Sequence, residues 1–355
     1  MSMKFLKIYA TTPESEPQNI SLKKEAVDGI KYYDHIARTA KWSEDQGFTG
    51  TLIYSNNSLV DGWAVAQIIL QQTKHLTPLV AVNPVYIRPY TLAKRVASLA
   101  FMYNRRVDIN WIAGGFKGDL ISLGDDTAHD ERYEKLYDYA SLVKGALQSK
   151  GLFNHDGPYF KVVNIKMRPQ ISEALIPVEL ISGTSEAGIA TANKLGATKV
   201  KYAKPISEYN DIVASDSFDL GIRFGIIARE TSEAAWKLAN ERFPDDMKGS
   251  MAHVMATKAS DSNWHKEISS LDTTQHREVY WLKPFHTYKT FCPYLVGSHS
   301  EVAEMLSKYV KLGHTSIILD IMNEQLDFEH CQKVFNMVES LLETTLKEKM
   351  APLSH

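Results

Sequence analysis

Leu79-Val80-Ala81-Val82-Asn83-Pro84-Val85, then Tyr90-Thr91-Leu92-Ala93-Lys94-Arg95-Val96-Ala97-Ser98-Leu99-Ala100-Phe101-Met102-Tyr103, then Val107-Asp108-Ile109-Asn110-Trp111-Ile112, form one continuous piece of chain. The outer runs are short and apolar and read as strands. The middle run is longer, amphipathic and rich in Ala and Leu, and it reads as a helix. A strand–helix–strand piece of this length joins parallel strands. The same alternation extends in both directions. Strands are expected at Phe5–Ala10, Thr51–Tyr54, Leu79–Val85, Val107–Ile112, Val178–Ile181, Thr198–Tyr202, Leu220–Ala228 and Ser316–Leu319. Helices are expected at Ala26–Gln46, Trp63–Gln72, Tyr90–Tyr103, Glu131–Leu147, Glu186–Leu195, Ser232–Arg242, Glu301–Leu312 and Phe328–Leu346. Eight such strands in 355 residues predict an α/β fold, a (β/α)8 TIM barrel with insertions, as a single domain over residues 1–355. A doubly wound open sheet with one broken repeat is the alternative.

Two stretches interrupt the alternation. Phe153-Asn154-His155-Asp156-Gly157-Pro158-Tyr159-Phe160 places Asp-Gly between apolar runs, a hairpin signal. Residues 243–294 show no clean period and hold His253, His265, His276 and His286. A connection that long is expected to be functional, and we read it as an irregular insertion that acts as an active-site lid.

Composition narrows the function classes. Forty basic against 42 acidic residues leave a formal charge of −2, so no basic field for nucleic acid exists. The two cysteines, Cys292 and Cys331, cannot build a disulfide framework, which fits a reducing, cytoplasmic setting. No run of 18 apolar residues occurs, and no membrane association is expected. The histidines form no metal-spaced pair on one helix, and no metal is expected.

In a barrel, chemistry sits at the C-terminal strand ends. Those ends carry Tyr54–Ser58, Asn83–Tyr86, Asn110–Gly115, Ser182-Gly183-Thr184-Ser185, Arg223 and Asp320–Met322. Ser182–Ser185 is a strand end, a glycine turn and a helix start. It reads either as a phosphate cradle or as a plain N-cap by Thr184 or Ser185. Asn110, inside an apolar strand, could bond the edge of a flat heterocycle or a neighbouring strand. His129-Asp130-Glu131-Arg132-Tyr133 opens a helix; His129 or Asp130 could cap it, and Tyr133 would face inward. Arg223 is a charge in an apolar strand and needs an internal carboxylate or an anionic ligand.

Taken in order, these stretches resemble the bacterial luciferase-like, flavin-dependent monooxygenases, and within them the alkanesulfonate monooxygenase branch. The matching pieces are Gly50–Ile53, Asp61–Trp63, Asp108–Gly114, His129–Glu134, Phe153–Phe160, Ile181–Gly188, and Gly221–Arg223 with Arg229–Thr231. The resemblance implies a TIM barrel that binds reduced FMN (FMNH2) made by a separate NAD(P)H:flavin reductase. It also implies reaction with O2 through a peroxyflavin to oxygenate a small organic substrate, in a homodimer or homotetramer. By the same resemblance Ser182, Gly183, Thr184 and Ser185, with His129 and Tyr133, hold the phosphate end. Asn110 lies at the flavin ring, and Asn110 and Arg223 serve catalysis.

The departures fall on the substrate side. Where the alkanesulfonate enzymes have a cysteine, a histidine and a tyrosine, this chain has Leu59, Gly225 and Met322 or its neighbours. Their lid arginine has no clear counterpart among Lys283, His286 and Lys289. The substrate pocket is therefore assigned to Ser58, Leu59, Trp111, Gly225, His286 and Met322. It is expected to be less polar than that of the sulfonate enzymes and to take a substrate other than a simple alkanesulfonate. A deazaflavin-dependent hydride transfer and a non-catalytic flavin-binding homologue are the alternatives.

Overall fold

The computed structural model describes residues 5–15, 28–115, 117–209, 220–259, 263–271 and 279–350. Eight parallel strands form its centre: β1 (Lys7–Thr11), β2 (Gly50–Ile53), β3 (Thr77–Val82), β4 (Asp108–Trp111), β5 (Glu179–Ser182), β6 (Thr198–Tyr202), β7 (Leu220–Arg229) and β8 (His314–Ile321). Each pairs with the next, and β8 returns to β1, with Ile8 opposite Ile317. This is the closed eight-stranded barrel that the alternation predicts, with strand limits shifted by at most a few residues.

Period-two alternation sorts each strand into two destinations. Tyr9, Leu52, Leu79, Leu180, Val200 and Ile318 pack together inside the barrel. Ile8, Ile53, Val80, Ile109, Trp111, Ile181, Ile222 and Leu319 belong to the larger core between barrel and helices. The outer layer includes α1 (Gly29–Asp45), α2 (Gly62–Gln72), α3 (Pro89–Tyr103), α4 (His129–Gln148), α5 (Glu186–Leu195) and α6 (Ser232–Arg242). α1 and α2 start where Asp28 and Asp61 accept hydrogen bonds from the first-turn amides. The start of α1 expected at Ala26 lies outside the described residues. After β6 the described residues carry only a 3-10 turn, Ile206–Glu208.

The stretch 243–294 is more ordered than its sequence suggests. It contains α7 (Met247–Ala259), short helices at Asn263–Ser269 and Lys283–His286, and a strand at Tyr280–Trp281. His276 lies outside the described residues. A further strand, Tyr294–Ser298, pairs in parallel with the second half of β7 and antiparallel with Tyr280–Trp281. The chain then closes with α8 (His299–Lys311), β8 and α9 (Gln325–Met350). No helix among the described residues is long and apolar enough to cross a membrane.

The Asp-Gly hairpin exists, with strands Leu152–Asp156 and Lys161–Lys166. Its glycine has a different reason from the one the dipeptide suggests. A Cβ on Gly157 would lie 1.8 Å from Asp138 Oδ1. Asp138, buried on α4, accepts the amides of Tyr159 and Phe160 and contacts the His155 ring. The glycine thus lets a helix carboxylate enter the turn. Gly157→Ala should cost about 1–3 kcal/mol through overpacking. A thermal melt checks this; an unchanged Tm would mean that the turn does not depend on the close approach.

Candidate active site

A cleft of about 690 Å³ opens at the C-terminal mouth of the barrel, within the range that takes cofactor-sized ligands. Its lining includes Ser58, Asn110, His129, Tyr133, Ser182, Gly183, Thr184, Ser185 and Arg223. Thus nine residues singled out from the sequence, spread over β2, β4, β5, β7 and α4, meet in one space.

One end is built by the β5–α5 turn. Ser185 is the N-cap of α5 and accepts the Gly188 amide at 3.1 Å. The N-cap alternative is therefore realised, yet it does not exclude the cradle, because Ser182–Ser185 also line the cleft. The first amides of a helix lack intrahelical partners, and their dipole favours an anion. Tyr133 projects from the first turn of α4 and hydrogen-bonds with Ser185; burial pushes its phenol up, so it stays a neutral donor. A Cβ on Gly183 would approach the Tyr133 hydroxyl to 2.6 Å, so only glycine leaves this corner open. His129 does not cap α4, whose N-cap position is Ala128; it contacts Asp130 and packs edge-on against the Tyr133 ring.

Asn110 forms the floor. Ser182 Oγ donates to its Oδ1 at 3.0 Å, which fixes the oxygen as acceptor and leaves the amide nitrogen without a hydrogen bond to any described residue. A planar donor at the bottom of a polar-ended cleft suits the edge of a heterocycle. This arrangement fits the phosphate and ring of a flavin nucleotide.

The opposite wall carries Arg223. Its Nη2 lies 3.4 Å from Asp320 Oδ1 and its Nη1 donates to the Tyr202 hydroxyl at 3.3 Å. Its guanidinium stands 5.0 Å from the Tyr54 ring centroid and 5.5 Å from that of Tyr202. Arg223 Nε is buried without a hydrogen-bond partner. Asp320 also accepts the Tyr294 hydroxyl at 2.8 Å. Burial, with Asp320 adding to it, pushes the Tyr294 phenol and the Cys292 thiol well up, so both stay protonated. The internal-carboxylate reading of Arg223 is the one realised, although the side chain still borders the cleft. Near Gly225 and Met322, where lower polarity is expected, Tyr294 and Asp320 supply polar groups, and Tyr202 adds a hydroxyl to the cleft. Sequence reasoning missed Tyr202, Cys292 and Tyr294; Tyr54 and Asp320 stood among the strand ends without a role, and the charge demand of Arg223 was the signal that could have paired it with Asp320.

Five expected pocket residues do not line the cleft. Trp111 follows Asn110 and points outward, where its indole donates to Glu179 and meets the Tyr139 ring. Leu59 sits beside the lining, with its amide on Asn56 Oδ1. Gly225 lies under the Tyr294 ring, and with Met322 it borders a separate cavity of about 300 Å³. His286 faces another groove, while Tyr288 and Phe291 from the same segment reach the cleft. Glu230, His299 and His330 lie close together, but none of them lines the cleft.

Removing one member of a buried ion pair leaves its partner uncompensated. Arg223→Ala should therefore destabilise the fold by about 3–5 kcal/mol, and adding Asp320→Asn should recover most of that loss. Denaturant titration of the two variants checks this; equal losses would mean that the pair is not coupled.

Comparison with known proteins agrees with this geometry. The model of the luciferase-like monooxygenase family matches residues 12–316. A relative from Niallia circulans, 4-(gamma-L-glutamylamino)butanoyl-[BtrI acyl-carrier protein] monooxygenase BtrO, is 32% identical over 332 residues, covering 87% of this chain and 97% of the relative. Among solved structures, EDTA monooxygenase (EmoA) from Chelativorans sp. BNC1 superposes with a TM-score of 0.72 at 14% identity, over 96% of this chain and 94% of that one. Riboflavin lyase (RcaE), solved with modified FMN and riboflavin, superposes with a TM-score of 0.70 at 18% identity, over 96% and 92%. At those identities the structures show the shared fold. The chain belongs to the luciferase-like monooxygenase family of flavin-dependent oxidoreductases.

Proposed function

We propose that this enzyme oxygenates an acyl group presented on a carrier protein, using reduced FMN delivered by a separate NAD(P)H:flavin reductase. The observation that carries the reading is a cleft with an anion cradle and a planar amide at one end and a buried arginine wall at the other. The relative at 32% identity, named for a carrier-bound acyl substrate, supports the substrate class. The resemblance to the alkanesulfonate branch then concerns the flavin end.

Bound reduced FMN supplies two electrons, so that one atom of O2 enters the substrate and the other leaves as water. The protein's own residues do the rest. The Thr184 hydroxyl, the one proton left over in the Ser185–Tyr133 hydroxyl pair and the first amides of α5 would hold the phosphate end. The Asn110 amide nitrogen would donate to the edge of the flavin ring. Arg223, held between Asp320 and the Tyr54 and Tyr202 rings, faces a polar group of the substrate. Tyr288 and Phe291 from residues 243–294 bring apolar surface over the cleft and exclude water. This is the lid role assigned to the insertion. A homodimer or homotetramer belongs to the same proposal. Exposed Phe101 and Met102 on α3 offer apolar surface for one.

Anaerobic titration with reduced and oxidised FMN tests the reading, followed by product analysis after O2 is admitted. Preferential binding of reduced FMN and an oxygenated product are expected. Equal binding with no oxygen incorporated would overturn it in favour of a non-catalytic binder. Replacing Thr184 and Ser185 by Ala together should weaken FMN binding by about 1–3 kcal/mol. An unchanged affinity would place the phosphate elsewhere.

A further inference from the structure

α7 is an inverted amphipathic helix. Its sequence, Met247-Lys248-Gly249-Ser250-Met251-Ala252-His253-Val254-Met255-Ala256-Thr257-Lys258-Ala259, turns small and polar residues inward. Gly249 packs so tightly on the following segment that a Cβ would lie 2.1 Å from the Thr287 carbonyl oxygen. His253 is buried against the Phe285 ring. The large apolar side chains point out: Met247 is 85% exposed, Met251 68%, Val254 53% and Met255 72%. Spaced at i, i+4, i+7 and i+8, they form one continuous face. An apolar face of this kind, on a helix whose outward side meets no core among the described residues, marks an interaction surface, and methionine suits one that adapts to its partner.

Charge and position select the partner. Exposed Lys248 and Lys258 flank the face and α7 contains no acidic residue; the two carboxylates just before it, Asp245 and Asp246, are already paired with Lys283 and Lys289. Beside it runs a groove of about 870 Å³, lined by Met247, Met251, Trp236, Trp281 and His286. The groove shares a wall with the cleft. His286 and Thr287 face the groove, and Tyr288 and Phe291, a few residues on, face the cleft. A protein seated on α7 would thus stand at the rim of the site, next to the segment that covers it.

We infer that the outward face of α7 is the docking surface for the carrier protein, a small acidic partner that brings the acyl group to the cleft on its flexible thiol arm. The inference rests on the carrier-bound substrate reading above. Apolar side chains at the centre with lysines at the rim match an acidic protein surface. The centre supplies affinity and the rim supplies orientation and encounter rate.

The test uses the full chain with reduced FMN and a flavin reductase. One substrate is the 4-(γ-L-glutamylamino)butanoyl group on the BtrI acyl-carrier protein. The other is the same acyl group as an N-acetylcysteamine thioester. Two variants are compared with the parent, Met251→Asp with Met255→Asp, and Lys248→Glu with Lys258→Glu. Each should raise KM for the carrier-bound substrate at least about tenfold. Turnover of the small thioester and reduced-FMN affinity should stay unchanged, which also reports an intact fold. Unchanged KM for the carrier-bound group would overturn the docking surface while the substrate reading stands. Reduced FMN bound but neither substrate oxygenated would overturn the substrate reading and the surface with it. A native mass that halves in the Met variant would assign the face to a second copy of the chain and overturn the proposal.

Discussion

Closing eight parallel strands into a barrel leaves every strand side chain two places to go, and the rest of the molecule follows from that. Outward side chains must be apolar, because helices cover them. Inward side chains fill a narrow interior, which Tyr9, Leu52, Leu79, Leu180, Val200 and Ile318 occupy below the mouth. Above that plug the inward positions are released from packing. There the chain places Asn110, Ser182, Arg223 and Asp320, which would be costly one residue earlier or later along their strands. Polar chemistry is concentrated at one end because the interior elsewhere is full.

The architecture was legible in the sequence because a parallel barrel repeats its signal. Short β-branched runs alternate with amphipathic ones, and helices such as Glu186–Leu195 and Ser232–Arg242 carry clear caps. The gathering of Ser182–Ser185, His129 and Tyr133 at one end of the cleft was legible for a related reason. Its residues are contiguous at Ser182–Ser185 or lie one turn apart at His129 and Tyr133. The far wall was not legible. Arg223 is answered by Asp320 from the next strand, and Asp320 in turn by Tyr294 from a strand hidden in aperiodic sequence. Trp111 was misplaced because strand membership alone does not say which parity faces in; its apolar bulk belongs to the helix side. Residues 243–294 looked irregular because α7 has a helical period with the wrong polarity, and a period is read as a helix only when its apolar side finds a core.

The two ends of the cleft are held by different means. At the cradle, backbone amides and the Ser185 cap are fixed by a helix start, so the donors are preorganised before any ligand arrives. At the far wall, a guanidinium is held among rings and one carboxylate by contacts from four separate elements. The first arrangement changes only with the fold. The second can be retuned by single side chains such as Tyr54 or Tyr202.

β7 is ten residues long, and its two halves do different work. Residues 220–224 pair with β8 and 220–223 with β6, sealing the barrel, while residues 225–229 leave it to pair with Tyr294–Ser298. The insertion is thereby fastened at both ends to one rigid strand. Mutations between those anchors can change its length, its helices and its outward chemistry while barrel closure stays untouched. Such a socket lets selection remodel the insertion of an oxygenase and keep its barrel.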